Sequence, residues 1–290
     1  MIAEHFLVSA SKRAVRWWTS ESSALALRAK QMTAAVLPES LLIAIKKRYY
    51  TMLLRTSRLD SVEGDTDALP HIVKRGDFVI DIGAFVGFYT KSLSSLVGPC
   101  GKVWSTEPVP QTFQILSYTT HKLRLKNVEL FNCAISDSEG LVTMEVPRYR
   151  GGGETWYDAR IVRGRKSTQH TVFNASARTL DSLTGGVNRS VTFIKCDAEF
   201  HELFCVRGAL KTIRRWKPAL LIEMLESPDH GADQRKLVEL LPDLGYMPYW
   251  FDGSPFHLRQ SGQNSQNYFF FSNDHRTILE NSHRLAAYSG

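Results

Sequence analysis

Acidic side chains recur where short apolar runs of this chain end. They are Asp81, Glu107, Asp137, Asp197 with Glu199, and Glu223. A carboxylate accepts hydrogen bonds and attracts cations. Where burial and like-charged neighbours raise its pKa, it also takes a proton near neutral pH. Asp197 and Glu199 are the first candidates for a catalytic base, and His201, two residues on, is the second. Asp197, Glu199 and Glu223 together would also suit Mg²⁺ or Ca²⁺, but nothing in the spacing demands an ion and no metal is assigned.

The elements that must position these groups alternate from Asp77 onward, strand-like run then helix-like run. Such alternation predicts an α/β fold, a mostly parallel sheet with helices on both faces. Its centre is GDFVIDIGAFVGFYT, residues 76–90. Phe78 to Ile82 reads as a buried parallel strand running through Gly83 and Gly87 into a helix, a ligand-binding strand-to-helix turn. Glycine serves there where backbone meets ligand or φ turns positive. Glu107 lies 24 positions after Gly83, near the roughly 20 expected of an acid that binds ribose. The loop reads D-x-G-x-x-x-G, not the G-x-G-x-x-G of dinucleotide sites, and Asp81 would repel a phosphate. A sulfonium bearing an ammonium group would welcome it, so S-adenosylmethionine is favoured over a dinucleotide.

Further strands are expected at Lys102–Glu107, Val128–Cys133, Val191–Cys196, Ala219–Ile222, Tyr246–Phe251 and Tyr268–Phe271, with a small antiparallel strand at Leu141–Val146. Helices are expected near Gly87–Val97, from Pro108–Gln111, at His201–Trp216 and at Gln234–Leu241. Residues 148–170 break this rhythm with the run Gly151, Gly152 and Gly153, Trp156, Tyr157 and six basic residues, and read as a flap over the acceptor or an uninformative loop.

With 290 residues, 43% of them hydrophobic, the chain can bury a sizeable core. The net charge is +7, and residues 1–60 carry ten basic residues against four acids while the remainder is near neutral. That first segment reads as helical and peripheral. Leu42, Ile45, Tyr49 and Met52 form its apolar face, expected to pack on the protein's own core or to lie on an anionic membrane through residues 39–58. The boundaries follow: a basic helical segment 1–60, a linker 61–75, a catalytic domain 76–272 and a tail 273–290. Four cysteines without C-x-x-C spacing, no signal-like segment and no span of membrane length imply a reduced, cytoplasmic protein. Basic residues near Trp156 and Tyr157 leave a nucleic-acid methyltransferase or binder as the alternative, against which the core is near neutral and lacks an N-P-P-[FY] type motif.

VIDIGAFVGFYT (79–90), Glu107-Pro108, NVELFNCAISDSEG (127–140), TLDSL (179–183), IKCDAEFHE (194–202) and NYFFF (267–271) together resemble the FkbM family of S-adenosylmethionine-dependent methyltransferases. The resemblance implies a class I methyltransferase fold, a Rossmann-like seven-stranded sheet. It implies O-methylation of a sugar, glycolipid or natural-product hydroxyl, with S-adenosyl-L-homocysteine as the second product. By position, Asp81, Gly83 and Gly87 would hold the methionine end of the donor, with Ala84, Tyr89 and Thr90 in the same motif. Glu107, beside Pro108, would hold the ribose, Ser136 and Asp137 would lie near the adenine, and Asp197 would border the donor. Asp197, Glu199 and Glu202 match the acids of the family's K-x-D-x-E-G-x-E pattern. Phe85 stands where the family usually has asparagine, and Phe200-His201 replaces the glycine and small residue after Glu199.

Overall fold

The computed structural model describes residues 38–56, 64–148, 156–162, 170–224, 231–253, 255–260, 265–282 and 284–285. Strand β1, Phe78–Ile82, is buried at all five positions, as a run that is apolar but for Asp81 requires of a central strand. Parallel to it on one side run β2 (Lys102–Thr106) and then β3 (Val128–Phe131), and on the other β8 (Val191–Cys196) and β9 (Ala219–Glu223). The sheet continues antiparallel through β12 (Asn267–Phe271), β10 (Met247–Phe251) and β11 (Phe256–Leu258). It therefore has eight strands where sequence predicts seven. The extra one, β11, forms a hairpin with β10 that the irregular sequence around Asp252 and Gly253 conceals.

Both sheet faces are covered. Ile80, Ile194, Leu220 and Phe270 pack with α6 (Glu202–Arg207), α7 (Leu210–Trp216) and α8 (Gly231–Asp243). Val79, Val103, Phe193 and Phe269 pack with α3 (Phe88–Val97) and α9 (Asn273–Asn281). The expected tail thus begins as a helix that buries Leu279, and the expected linker holds a 3₁₀ turn (Gly64–Ala68) and α2 (Leu69–Ile72), with Ala68 and Leu69 fully buried. The single helix expected over His201–Trp216 is two, broken between Arg207 and Leu210.

A second sheet was only partly foreseen. Its order is β4 (Ala134–Ile135), β7 (Thr171–Arg178), β5 (Gly140–Val146) and β6 (Arg160–Ile161). The alternating β5 was expected, but its partner β7 was not, and Val128–Cys133 ends at Phe131 with the chain then entering the second sheet. Of the expected flap, residues 149–155 and 163–169 lie outside the described residues, as does most of the Arg-rich stretch on which the nucleic-acid alternative rested. Residues 1–37 are outside it too.

Helix α1 (Glu39–Thr56) packs along α4 (Pro110–Lys122). Ile43 joins Val86, Ile115, Met144 and Trp156 in a third apolar cluster between the first sheet's loops and the second sheet. Of the expected apolar face, Leu42 and Tyr49 are half-buried. Ile43, Leu53 and Leu54 are buried, whereas Ile45 and Met52 are exposed. All four cysteines are free and three are buried. Burial pushes the Cys133 thiol up to about 11, so it behaves as a small apolar side chain. No helix among the described residues is long and apolar enough to cross a membrane.

Candidate active site

Strands β8 and β2 flank β1, and the connections on its two sides diverge, which opens a crevice beyond the carboxyl ends of β1 and β8. Gly83 turns the chain there with φ +73°, its N–H bonded to the Thr106 carbonyl at 3.1 Å. A Cβ at this position would overlap the Asp197 carbonyl oxygen. The glycine expected to admit a ligand therefore admits the β8 backbone. Gly87, φ +104°, begins α3, and Ala84 donates to Thr106 O at 2.9 Å.

Asp81 is fully buried and accepts from Thr90 Oγ1 at 2.6 Å. Thr90 in turn meets Ser105 Oγ at 2.9 Å. Lys195 Nζ lies 3.8 Å from Asp81 Oδ1, donates to Asp197 Oδ2 at 2.9 Å and to Gly83 O at 3.1 Å, and stands over the Tyr89 ring. Four expected donor-site residues, Asp81, Gly83, Tyr89 and Asp197, thus meet one buried ammonium that sequence reasoning did not single out, and Thr90 is tied to it through Asp81. The signal was available: Lys195 is the sole charge in the otherwise apolar-to-neutral run VTFIKC, two residues before Asp197.

Glu107, expected at a ribose, is engaged by the protein itself. Its Oε2 accepts from Phe85 N–H at 2.9 Å, and its Oε1 accepts from Val109 N–H at 2.9 Å and Thr112 Oγ1 at 2.6 Å. Three of about four lone-pair positions are taken. Burial nevertheless pushes its pKa up to about 7 against these bonds. Its backbone carbonyl, like that of the half-buried Pro108, accepts from Asn132 Nδ2. On the expected adenine side, Ser136 is buried and Asp137 exposed. Ser136 Oγ lies 3.0 Å from His201 Nε2, and that imidazole is buried and stacked on Phe204. His201 is thus held by Ser136 and Phe204, neither facing solvent nor grouped with the carboxylates.

Those carboxylates do meet. Asp197, Glu199 and Glu223 bring oxygens within 4.8 Å of one another at the ends of β8 and β9. Burial, with Asp197 and then Asp158 beside it, pushes Glu199 up to about 8. Burial and the charges of Asp197, Glu199 and Glu202 raise Glu223 further. Burial also takes Glu202 to about 7, and its Oε1 accepts from Ala198 N–H at 2.8 Å. Asp158, which sequence reasoning missed, comes from the short 3₁₀ turn Trp156–Asp158 of the irregular segment. Asp197, held by Lys195, is the acid of the group with a close cation. By count alone the three acids could hold a divalent ion, but an acidic cluster does not by itself make a metal site.

A pH dependence follows. An acid whose folded pKa exceeds its unfolded value binds a proton more tightly when folded, so its stabilising contribution is full at low pH and disappears as pH rises. For Glu199 the window runs from about 4.5 to about 8. Urea denaturation at stepped pH is expected to show stability falling through that window, and Glu199→Gln is expected to flatten the fall.

A family model described as the methyltransferase FkbM domain matches residues 81–248. The chain belongs to the FkbM methyltransferase family. Solved structures similar to this chain include an FkbM methyltransferase from Methylobacillus flagellatus KT. It is 17% identical, with 84% of this chain and 58% of that chain covered and a TM-score of 0.43. A putative rRNA methylase from Clostridium thermocellum is 13% identical over 70% of this chain and 89% of that one, TM-score 0.43. A SAM-dependent methyltransferase from Aquifex aeolicus is 18% identical over 76% and 95%, TM-score 0.38. Likeness at this level carries no argument about substrate. This chain spans only 58% of the Methylobacillus chain. No curated protein matches it.

Of the departures from the family pattern, Phe85 (φ +49°) and Phe200 (φ +70°) fall on left-handed backbone, as does the matching acid Glu199 (φ +47°), whereas His201 has φ −112°. At Phe200 the family's glycine is replaced while the conformation that favours glycine is kept. A non-glycine residue in this region costs about 1–2 kcal/mol. Such strain at the cleft's edge is maintained by the surrounding packing and is typical of ligand-binding rims.

Proposed function

We propose that the chain is an S-adenosylmethionine-dependent O-methyltransferase acting on a hydroxyl of a sugar, glycolipid or natural-product acceptor. The observation that carries this reading is the donor set of the cleft. It is rich in carboxylates, and Glu223 Oε2 is buried with no hydrogen-bond partner among the described residues. Such a group calls for a cation or an N–H donor from a ligand. A cofactor with an ammonium and a sulfonium fits this chemistry, and a phosphate does not.

When bound, S-adenosylmethionine supplies an electrophilic methyl group. The chain's own residues then have three tasks. Lys195 and Asp81 hold the turn at Gly83, and Glu107 fixes the Phe85 amide, so the donor loop is set before binding. Asp197, paired with Lys195 at 2.9 Å, brings a carboxylate to the cleft. Glu199 is the base we favour for the acceptor hydroxyl: its pKa of about 8 is suited to near-neutral proton transfer, and a cation bound beside it would lower that value into the working range.

The test is transfer of radiolabelled methyl from S-adenosylmethionine to hydroxylated glycan, lipid and polyketide extracts. Glu199→Gln is expected to lower kcat by about 10²–10⁴-fold, well beyond any loss of donor affinity. Label appearing on nucleic acid, or on no acceptor class despite donor binding, would count against the reading.

A further inference from the structure

Helix α1 presents one face to the protein and one outward, and from the outward face Arg55 Nη2 donates to the Lys122 carbonyl at 3.3 Å. Ile43, Tyr50 and Leu54 turn toward the protein, where the Tyr50 ring meets Phe85 and Phe88 edge-on and Lys46 Nζ stands 3.6 Å from the Trp156 ring centroid. On the outer side Leu41, Ile45, Arg48, Met52 and Arg55 recur at spacings of four, three, four and three, which places them in one stripe. All five are exposed, Leu41, Ile45 and Met52 at 46%, 47% and 51%. Three apolar residues that a soluble helix would turn inward therefore share a surface with two arginines.

We propose that this stripe is an interfacial contact that lies on an anionic lipid bilayer. Charge selects the occupant. The stripe carries Arg48 and Arg55 and no acid, and residues 1–60 as a whole hold ten basic residues against four acids. Were two copies of α1 to pair along the stripe, the arginines would be buried between like charges, which is costly without acidic partners. On a bilayer the same side chains lay their aliphatic stems along the surface and place guanidinium groups among anionic headgroups, while Leu41, Ile45 and Met52 enter the acyl boundary. At 18 residues with basic residues through it, α1 lies on the membrane and does not cross it. The helix that touches lipid is also the one packed on Phe85 of the donor loop, so docking would bring that loop to the membrane surface.

The experiment is co-sedimentation of the full chain with vesicles of phosphatidylcholine alone and of phosphatidylcholine mixed with phosphatidylglycerol. Binding is expected on the mixed vesicles and is expected to weaken with added salt. The triple variant Leu41→Ser, Ile45→Ser, Met52→Ser is expected to lose on the order of 10-fold or more in partition. Arg48→Glu with Arg55→Glu is expected to lose roughly 30-fold. Circular dichroism and melting temperature should stay at wild-type values, since the substituted side chains are exposed. Equal partition onto both vesicle types, no binding, or variants that bind as wild type would each overturn the proposal. A sedimentation-velocity dimer abolished by the triple variant would overturn it in favour of a second copy. The methyltransferase reading does not depend on the result.

Discussion

Gly83→Ala is expected to lose about 2–6 kcal/mol of folding stability and with it most donor binding. Two effects add. The backbone sits at φ +73°, and a methyl group there would overlap the carbonyl oxygen of Asp197, which is backbone and cannot swing aside. To make room, the end of β8 must move away from the turn after β1, separating the Gly83 carbonyl from Lys195 and Asp197 from the donor loop. Against a typical total of 5–15 kcal/mol the loss is severe. Gly140→Ala is the control: its φ is +136°, but nothing lies within 4 Å of an added Cβ, so it carries the conformational cost alone. Guanidinium denaturation with donor titration measures both variants. A Gly83→Ala protein within about 1 kcal/mol of wild type would show that the β1 and β8 ends are not locked as described.

Lys195→Met is the second substitution with a large effect, expected to cost about 3–5 kcal/mol. Lys195 is 5% exposed in its side chain and lies between Asp81, which is fully buried, and Asp197. Removing the ammonium leaves Asp81 without its close cation and adds to the repulsion among Asp197, Glu199 and Glu223. Asp81→Asn in the Lys195→Met background is expected to restore part of the loss, because the buried charge is then gone. Denaturation of the single and double variants gives the coupling directly. Additive losses would show that the pair does not interact.

Much of this arrangement was legible in the chain because parallel-sheet strands and their ends are written locally. Phe78–Ile82 and Val191–Cys196 are apolar runs with one charged residue near the end of each, Asp81 and Lys195, and both strands fall where those runs do. What could not be read was contact between distant segments. The overlap that reserves Gly83 for glycine comes from Asp197, more than a hundred residues away. The neighbours that occupy Glu107 include its own helix start and the Phe85 amide, and no spacing rule distinguishes that use from a ribose contact. Asp158 reaches Glu199 from a segment without periodicity. Apolar residues occupy both sides of α1, and periodicity cannot say which side meets the core.

The central claim is that the carboxylate-lined crevice between the ends of β1 and β8 receives the methyl donor. A crystal structure of the chain with S-adenosyl-L-homocysteine tests it most directly. The ligand is expected beside Gly83 and Asp197, with its amino group within hydrogen-bonding reach of the Asp197, Glu199 and Glu223 cluster. A ligand bound elsewhere on the sheet, or one whose amino group faces away from those three acids, would contradict the account.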